Sequence, residues 1–148
     1  MPRPLYVERR SLLYNDVEEL VPVVFMEGIS HVVIQATSCF WFLLAQRDDA
    51  ELAVRHWCAE LGVDGLGIMF VEQRDDSCVL TPLVYVPVGN TVFWENSCAS
   101  GTSAVGMYLA HEAHSPIDVT CSEPGGRLRV TSNPATQETW LYGNVKLA

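Results

Sequence analysis

Positive charge is scarce in this chain: nine Lys and Arg stand against eighteen Asp and Glu in 148 residues, a formal net charge of −9. That balance repels both a phosphate backbone and an anionic bilayer, so nucleic acid and membrane are excluded as expected partners. Small molecules or other proteins remain. Long apolar runs are missing as well. The longest, Cys39-Phe40-Trp41-Phe42-Leu43-Leu44-Ala45, falls far short of the roughly 20 residues a spanning helix needs. It is expected as ordinary core, with a surface meant for another lobe as the other reading.

Paired cysteines are also lacking. The five present, Cys39, Cys58, Cys78, Cys98 and Cys121, are odd in number, lie among apolar residues and follow no signal-peptide pattern. Free thiols in a reducing, cytoplasmic compartment are the expectation. No Cys or His cluster has zinc-like spacing; His111, Glu112 and His114 sit near a helix end, where imidazoles complement the dipole. Repeats, low-complexity tracts and long linkers are absent. Residues 1–148 are therefore expected to form one domain, at a length that buries roughly 68–70% of the unfolded surface.

What the chain does have is periodicity. From Asp48, apolar residues recur at Ala50, Ala53, Val54, Trp57, Cys58 and Leu61, which predicts a surface helix with one apolar stripe. Asp48-Asp49-Ala50-Glu51 reads as its acidic capping box and Gly62 as its stop. A second helix, about Gly101 to His114, carries no charge between Ser97 and Ala110, so it must be enclosed. The other apolar segments read as strands: Val21–Phe25, His31–Gln35, Gly67–Val71, Cys78–Val86, Thr91–Trp94, Ile117–Cys121, Arg127–Val130 and Thr139–Tyr142. Pro124-Gly125-Gly126 fits a hairpin loop. Many strands around one buried helix, with a second helix outside, predict an α+β domain.

The segment Glu95-Asn96-Ser97-Cys98-Ala99-Ser100-Gly101-Thr102-Ser103-Ala104 places a thiol where the enclosed helix begins. Free N–H groups there bind anions, and their partial positive charge draws a thiol toward thiolate. Small residues let the backbone approach a ligand. A carboxylate held beside a thiolate is chemistry for removing the α-proton of an amino acid, which requires a base on one face, an acid on the other and stabilisation of the developing charge. One thiol supplies a single part of that.

Cys98 to Ala104 resembles the Cys-Gly-Thr-Gly-Thr-Ser-Ala element of proline racemases and the Cys-Gly-Thr-Gly element of diaminopimelate epimerases. Val21–Phe25 with Gly28–Ile34, Gly67–Glu72, and the pair Gly126–Val130 and Trp140–Gly143 resemble further epimerase segments in the required order. The resemblance implies a lobe with a curled, barrel-like, mostly antiparallel sheet around a central helix. It also implies catalysis without cofactor or metal, by two cysteines, one from each of two lobes. No second such element accompanies Cys39, Cys58, Cys78 or Cys121, and Met1-Pro2-Arg3-Pro4 resembles the start of the second lobe. The chain is therefore expected to be a C-terminal lobe, either a fragment or a chain needing an N-terminal lobe or partner chain, with a small amino acid as substrate. A homodimer is left open.

The resemblance assigns Cys98 and His31 to catalysis, and Ala99, Ser100, Gly101, Glu95 and Asn96 to substrate binding. It departs from the epimerase pattern at Ile29, where an asparagine is expected, and at Gly89-Asn90, where a Glu-Arg pair would fall; meso-diaminopimelate is thereby disfavoured. The string Glu-Asn-Ser-Cys-Ala-Ser-Gly-Thr looks more like the histidine-racemase branch, associated with opine-type metal-chelator synthesis. Two other readings stay open on the residues alone. One is a thiol hydrolase or transferase with Cys98 as nucleophile and His31 as base. The other is a non-catalytic assembly module.

Overall fold

The computed structural model describes residues 4–75, 77–136 and 138–143. Nine strands form one sheet: β1 Pro4–Tyr14, β2 Val17–Met26, β3 Ser30–Gln35, β4 Leu66–Arg74, β5 Ser77–Val86, β6 Thr91–Trp94, β7 Ile117–Glu123, β8 Gly126–Asn133 and β9 Glu138–Tyr142. Their order is β1-β2-β3-β4-β5-β7-β8-β9, with β6 paired to β5. Two α-helices complete the domain, α1 Arg47–Leu61 and α2 Ala99–Ala113.

Six pairings are antiparallel, and β3/β4 and β5/β7 are parallel. Each parallel pair needs a crossover, and a helix supplies it: α1 between β3 and β4, α2 between β5 and β7. Both crossovers step the same way along the sheet, but β5 runs opposite to β4. Right-handed connections then place the two helices on opposite faces.

Alternation in the strands bears this out. Val23, Phe25, Val32, Ile34, Ile68 and Phe70 pack on the α1 side, whereas Val24, Met26, Val33, Met69 and Val71 pack on the α2 side. Strands covered on both faces become continuous apolar runs, which is why Val21–Met26 is buried throughout.

On the first face, Phe40 and Trp57 stack edge to face, and the fully buried Trp57 donates its indole N–H to the Leu13 carbonyl. The 40–45 run is mostly core: Phe40 and Leu43 are buried, while Trp41, Phe42 and Leu44 pack half-buried around them in a 3₁₀ turn. On the other face, α2 is buried from Gly101 to Tyr108 and packs against β7, β8 and β9 and, on its other side, β1 to β4. A Cβ on Gly106 would lie 2.5 Å from Val130 Cγ2, so the helix axis sits closer to the sheet than a side chain would permit.

Three expectations are corrected. The sheet wraps α2 without closing: β1 and β9 end the path and do not pair, so the fold is an open sheet rather than a barrel. The strand β1 was not expected; it hairpins into β2 through Asn15-Asp16, both at positive φ, the two-residue turn geometry that suits strand twist. Helix α1 is capped by Gln46 without a side-chain bond, and Asp48 and Asp49 lie in its first turn, where they favour the dipole rather than forming a box. Gly62 does end it, in the left-handed conformation. The 124–126 hairpin holds as expected, with Pro124-Gly125 as the loop between β7 and β8.

All five cysteines are free, and the Cys78 and Cys121 sulfurs meet at 2.7 Å across the short β5/β7 join. No described helix is long and apolar enough to cross a membrane.

Candidate active site

Strand β6 ends at Trp94, and the chain then crosses to the start of α2, passing the β7–β8 turn, where the Asn96 carbonyl accepts from Gly125 N–H at 2.7 Å. Cys98 is the N-cap of α2, with extended backbone at φ −140° and ψ 107°. An N-cap side chain normally accepts from an N–H in the first turn. Here the acceptor is sulfur: Gly101 N–H donates to Cys98 Sγ at 3.3 Å. The helix terminus therefore holds the thiol itself.

Three neighbours complete the arrangement. Ser100 Oγ lies 3.6 Å from Cys98 Sγ and 3.2 Å from His31 Nε2, a line from sulfur through hydroxyl to imidazole. His31 shares the α2 face of β3 with Val33 and pairs with Gly67 of β4. A Cβ on Gly67 would come within 2.4 Å of His31 Nδ1, so glycine makes the room the ring occupies. Met69, two residues further along β4, fills the space against Gly101, where a Cβ would approach Met69 Sδ to 2.3 Å.

Electrostatics at the thiol are mixed. Cys98 is half-buried, and burial is the largest influence, raising its pKa; the Ser100 hydroxyl and Gly101 N–H pull it down, and Glu95 and Glu123 push it up. The net direction is upward. The helix terminus does draw the thiol toward thiolate as expected, through the Gly101 N–H, but burial outweighs its donors. His31 is fully buried, which lowers its pKa to about 3 and keeps it neutral. A neutral, weakly basic imidazole that reaches the sulfur only through Ser100 is poorly suited as a hydrolase base.

The residues expected at the site fall into two groups. Cys98, Ser100, Gly101 and His31 are brought into one hydrogen-bonded cluster. The N–H groups of Ala99 and Ser100 make no hydrogen bond among the described residues, leaving two donors beside the sulfur, whereas the Gly101 donor is used by the thiol. Glu95 lies near enough to act on the thiol's charge, its N–H bonded to the Pro82 carbonyl, and Asn96 is exposed. Glu112 pairs with Arg9 rather than joining His111 and His114. Among the described residues no group of three or more His, Cys, Asp or Glu is placed to hold a metal ion.

One site residue escaped the sequence reading. Glu123, at the end of β7, is only 7% exposed; its Oε1 accepts from Cys98 N–H at 3.1 Å and its Oε2 lies 2.7 Å from Thr102 Oγ1. A carboxylate between Ser122 and Pro124 beside a hairpin reads as solvated, and nothing local marks it otherwise.

With this geometry in hand, similarity to known proteins gives the chain its family. A histidine racemase from Staphylococcus aureus (strain Mu50 / ATCC 700699) is 33% identical over 101 residues, covering 66% of this chain and 36% of that protein. A histidine racemase from Fusobacterium nucleatum subsp. nucleatum (strain ATCC 23726 / VPI 4351) is 39% identical over 56 residues, 38% of this chain and 20% of that protein. The matched region thus spans about a third or less of these relatives, as a domain of a larger enzyme would. The family model that matches, over residues 1–147, describes the N-terminal domain of the histidine racemase CntK. That description names an N-terminal domain, where the cysteine-element resemblance implied a C-terminal lobe. By this match the chain belongs to the histidine racemase N-terminal domain family.

Proposed function

We propose that this chain is the N-terminal lobe of a cofactor-independent histidine racemase, in which Cys98 exchanges the α-proton on one face of the amino acid. The observation that carries the reading is the half-buried Cys98 thiol at the N-cap of a buried helix, with Gly101 N–H and Ser100 Oγ bonded to its sulfur. Such donors stabilise the thiolate without being basic enough to take its proton.

As thiolate, Cys98 takes the α-proton and becomes a thiol, while a second thiol from another lobe delivers a proton to the opposite face and becomes a thiolate. The reverse reaction exchanges these roles. Between the two steps, negative charge spreads from the α-carbon into the carboxylate. The unpartnered N–H groups of Ala99 and Ser100 are donors suited to that carboxylate, and Glu95 and Asn96 are candidates for the amino group and side chain. His31 acts through Ser100: with Nε2 protonated it donates to Ser100 Oγ, which turns the hydroxyl proton toward sulfur. His31 and Ser100 are positioning residues, and Cys98 is the catalytic one. Histidine is the substrate in the names of the relatives, and the wider family chemistry needs no pyridoxal phosphate.

The test is α-deuterium incorporation into L- and D-histidine in D₂O by the full-length enzyme. Exchange lost in Cys98→Ala supports the reading. Undiminished exchange in that variant, or none with any amino acid from correctly folded wild type, overturns it.

A further inference from the structure

The protons around Glu123 can be counted. Thr102 Oγ1 lies 2.8 Å from the Cys98 carbonyl oxygen and 2.7 Å from Glu123 Oε2. A hydroxyl has one proton, and a carbonyl oxygen only accepts. If Thr102 gives its proton to the carboxylate, two lone-pair oxygens are left facing each other at 2.8 Å in a buried site. If it gives the proton to the Cys98 carbonyl, the Glu123 contact needs a proton of its own.

We infer that Glu123 is a neutral carboxylic acid at neutral pH, closing a ring of three hydrogen bonds that fixes the backbone of Cys98. In that ring Cys98 N–H donates to Glu123 Oε1, Glu123 Oε2–H donates to Thr102 Oγ1, and Thr102 Oγ1–H donates to Cys98 O. Every donor meets an acceptor. The surroundings agree: Glu123 is buried, Thr102 is fully buried, and among the described residues no Lys or Arg pairs with Glu123. The titratable groups around the ring and the thiol are Glu95 before α2, neutral His31 on β3 by way of Ser100, Cys98 itself and Cys121 on β7. Burial also raises the Glu123 pKa beyond what its two hydrogen bonds recover.

Two consequences follow. Glu123 is a positioning residue, holding the N-cap in the extended conformation that presents the sulfur to Gly101 N–H. Its neutrality also removes one of the two carboxylates that would oppose the Cys98 thiolate, leaving Glu95. The value of this for proton transfer rests on the reading of Cys98 given above; the protonation state does not.

Glutamine reproduces the neutral acid, with Oε1 accepting from Cys98 N–H and Nε2 donating to Thr102. The experiment is infrared difference spectroscopy of the chain at neutral pH, wild type against Glu123→Gln, with the pH profile of Cys98 alkylation by iodoacetamide on the same samples. A protonated-carboxyl C=O band present in wild type and absent in Glu123→Gln is expected. The alkylation midpoint should stay within about half a pH unit, whereas Glu123→Ala, which leaves Cys98 N–H unpaired, should change the rate about fivefold or more. Absence of the band, or a clear downward shift of the midpoint in Glu123→Gln, means an ionised Glu123 and overturns the inference. Absence of α-proton exchange in the full-length enzyme, with the band present, would sink the proposed function and leave this inference standing.

Discussion

At the scale of the residue, the site is one sulfur and the groups that set its proton affinity. Cys98→Ala should reduce α-proton exchange by roughly 10²–10⁴-fold, the usual worth of a positioned acid or base, as measured by deuterium incorporation with the full-length enzyme. Ser100 Oγ lowers the thiol's pKa, so Ser100→Ala should move the alkylation midpoint of Cys98 to higher pH. A shift downward would show that the hydroxyl does not donate to sulfur. His31 gives a stability signature. Its pKa falls from 6.5 to about 3 on burial, so the unfolded chain binds a proton that the folded chain refuses between those values. Stability should therefore drop as pH falls below 6.5, at about 1.4 kcal/mol per pH unit from this group, until about pH 3. Urea melts across that range should show a flatter slope in His31→Asn. Glu123, with its pKa raised, contributes with the opposite sign: its stabilisation is complete below the ordinary carboxylate value of 4.5 and is lost as pH rises through the folded value.

At the scale of the element, α2 does most to form the site, and it does so by lying close to the sheet. Gly106 faces the branched Val130 at a distance no Cβ would tolerate, and valine has little rotamer freedom with which to yield. Alanine is the better helix former by roughly 0.5–1 kcal/mol, yet overpacking costs about 1–3 kcal/mol. Gly106→Ala should therefore be net destabilising in denaturant melts, and a stabilised variant would mean that α2 stands further from β8. The elements were legible in the sequence to the extent that their burial was simple. The apolar stripe of α1 and the charge-free run of α2 announced both helices, and eight strands lay where apolar runs predicted them. β1 was missed because Glu8, Arg9 and Arg10 interrupt its apolar positions; its signal was the Asn15-Asp16 turn, whose residue types tolerate positive φ.

At the scale of the whole molecule, the proposed function gives the chain one half of a reaction. On that proposal its thiol serves one face of an α-carbon, and the relatives the chain matches extend well beyond the matched region. The 148-residue chain by itself should therefore show no histidine racemisation by chiral chromatography, and addition of the remaining lobe in trans should restore it; turnover by the chain alone would mean that both proton-transfer groups lie within it. Local sequence by itself determined both helices and eight of the nine strands, the buried character of α2 and the placing of Cys98 at a helix start, because capping, periodicity and charge depletion act within a few residues. Tertiary structure alone decided that the sheet stays open, that the two helices take opposite faces, that His31 reaches Ser100 across 69 residues, and that Glu123 lies buried against Cys98, 25 residues away. Those contacts leave no periodic trace in the chain, since they arise from strand order and from how closely a helix seats on a sheet, and the proton affinities of the site follow from that burial.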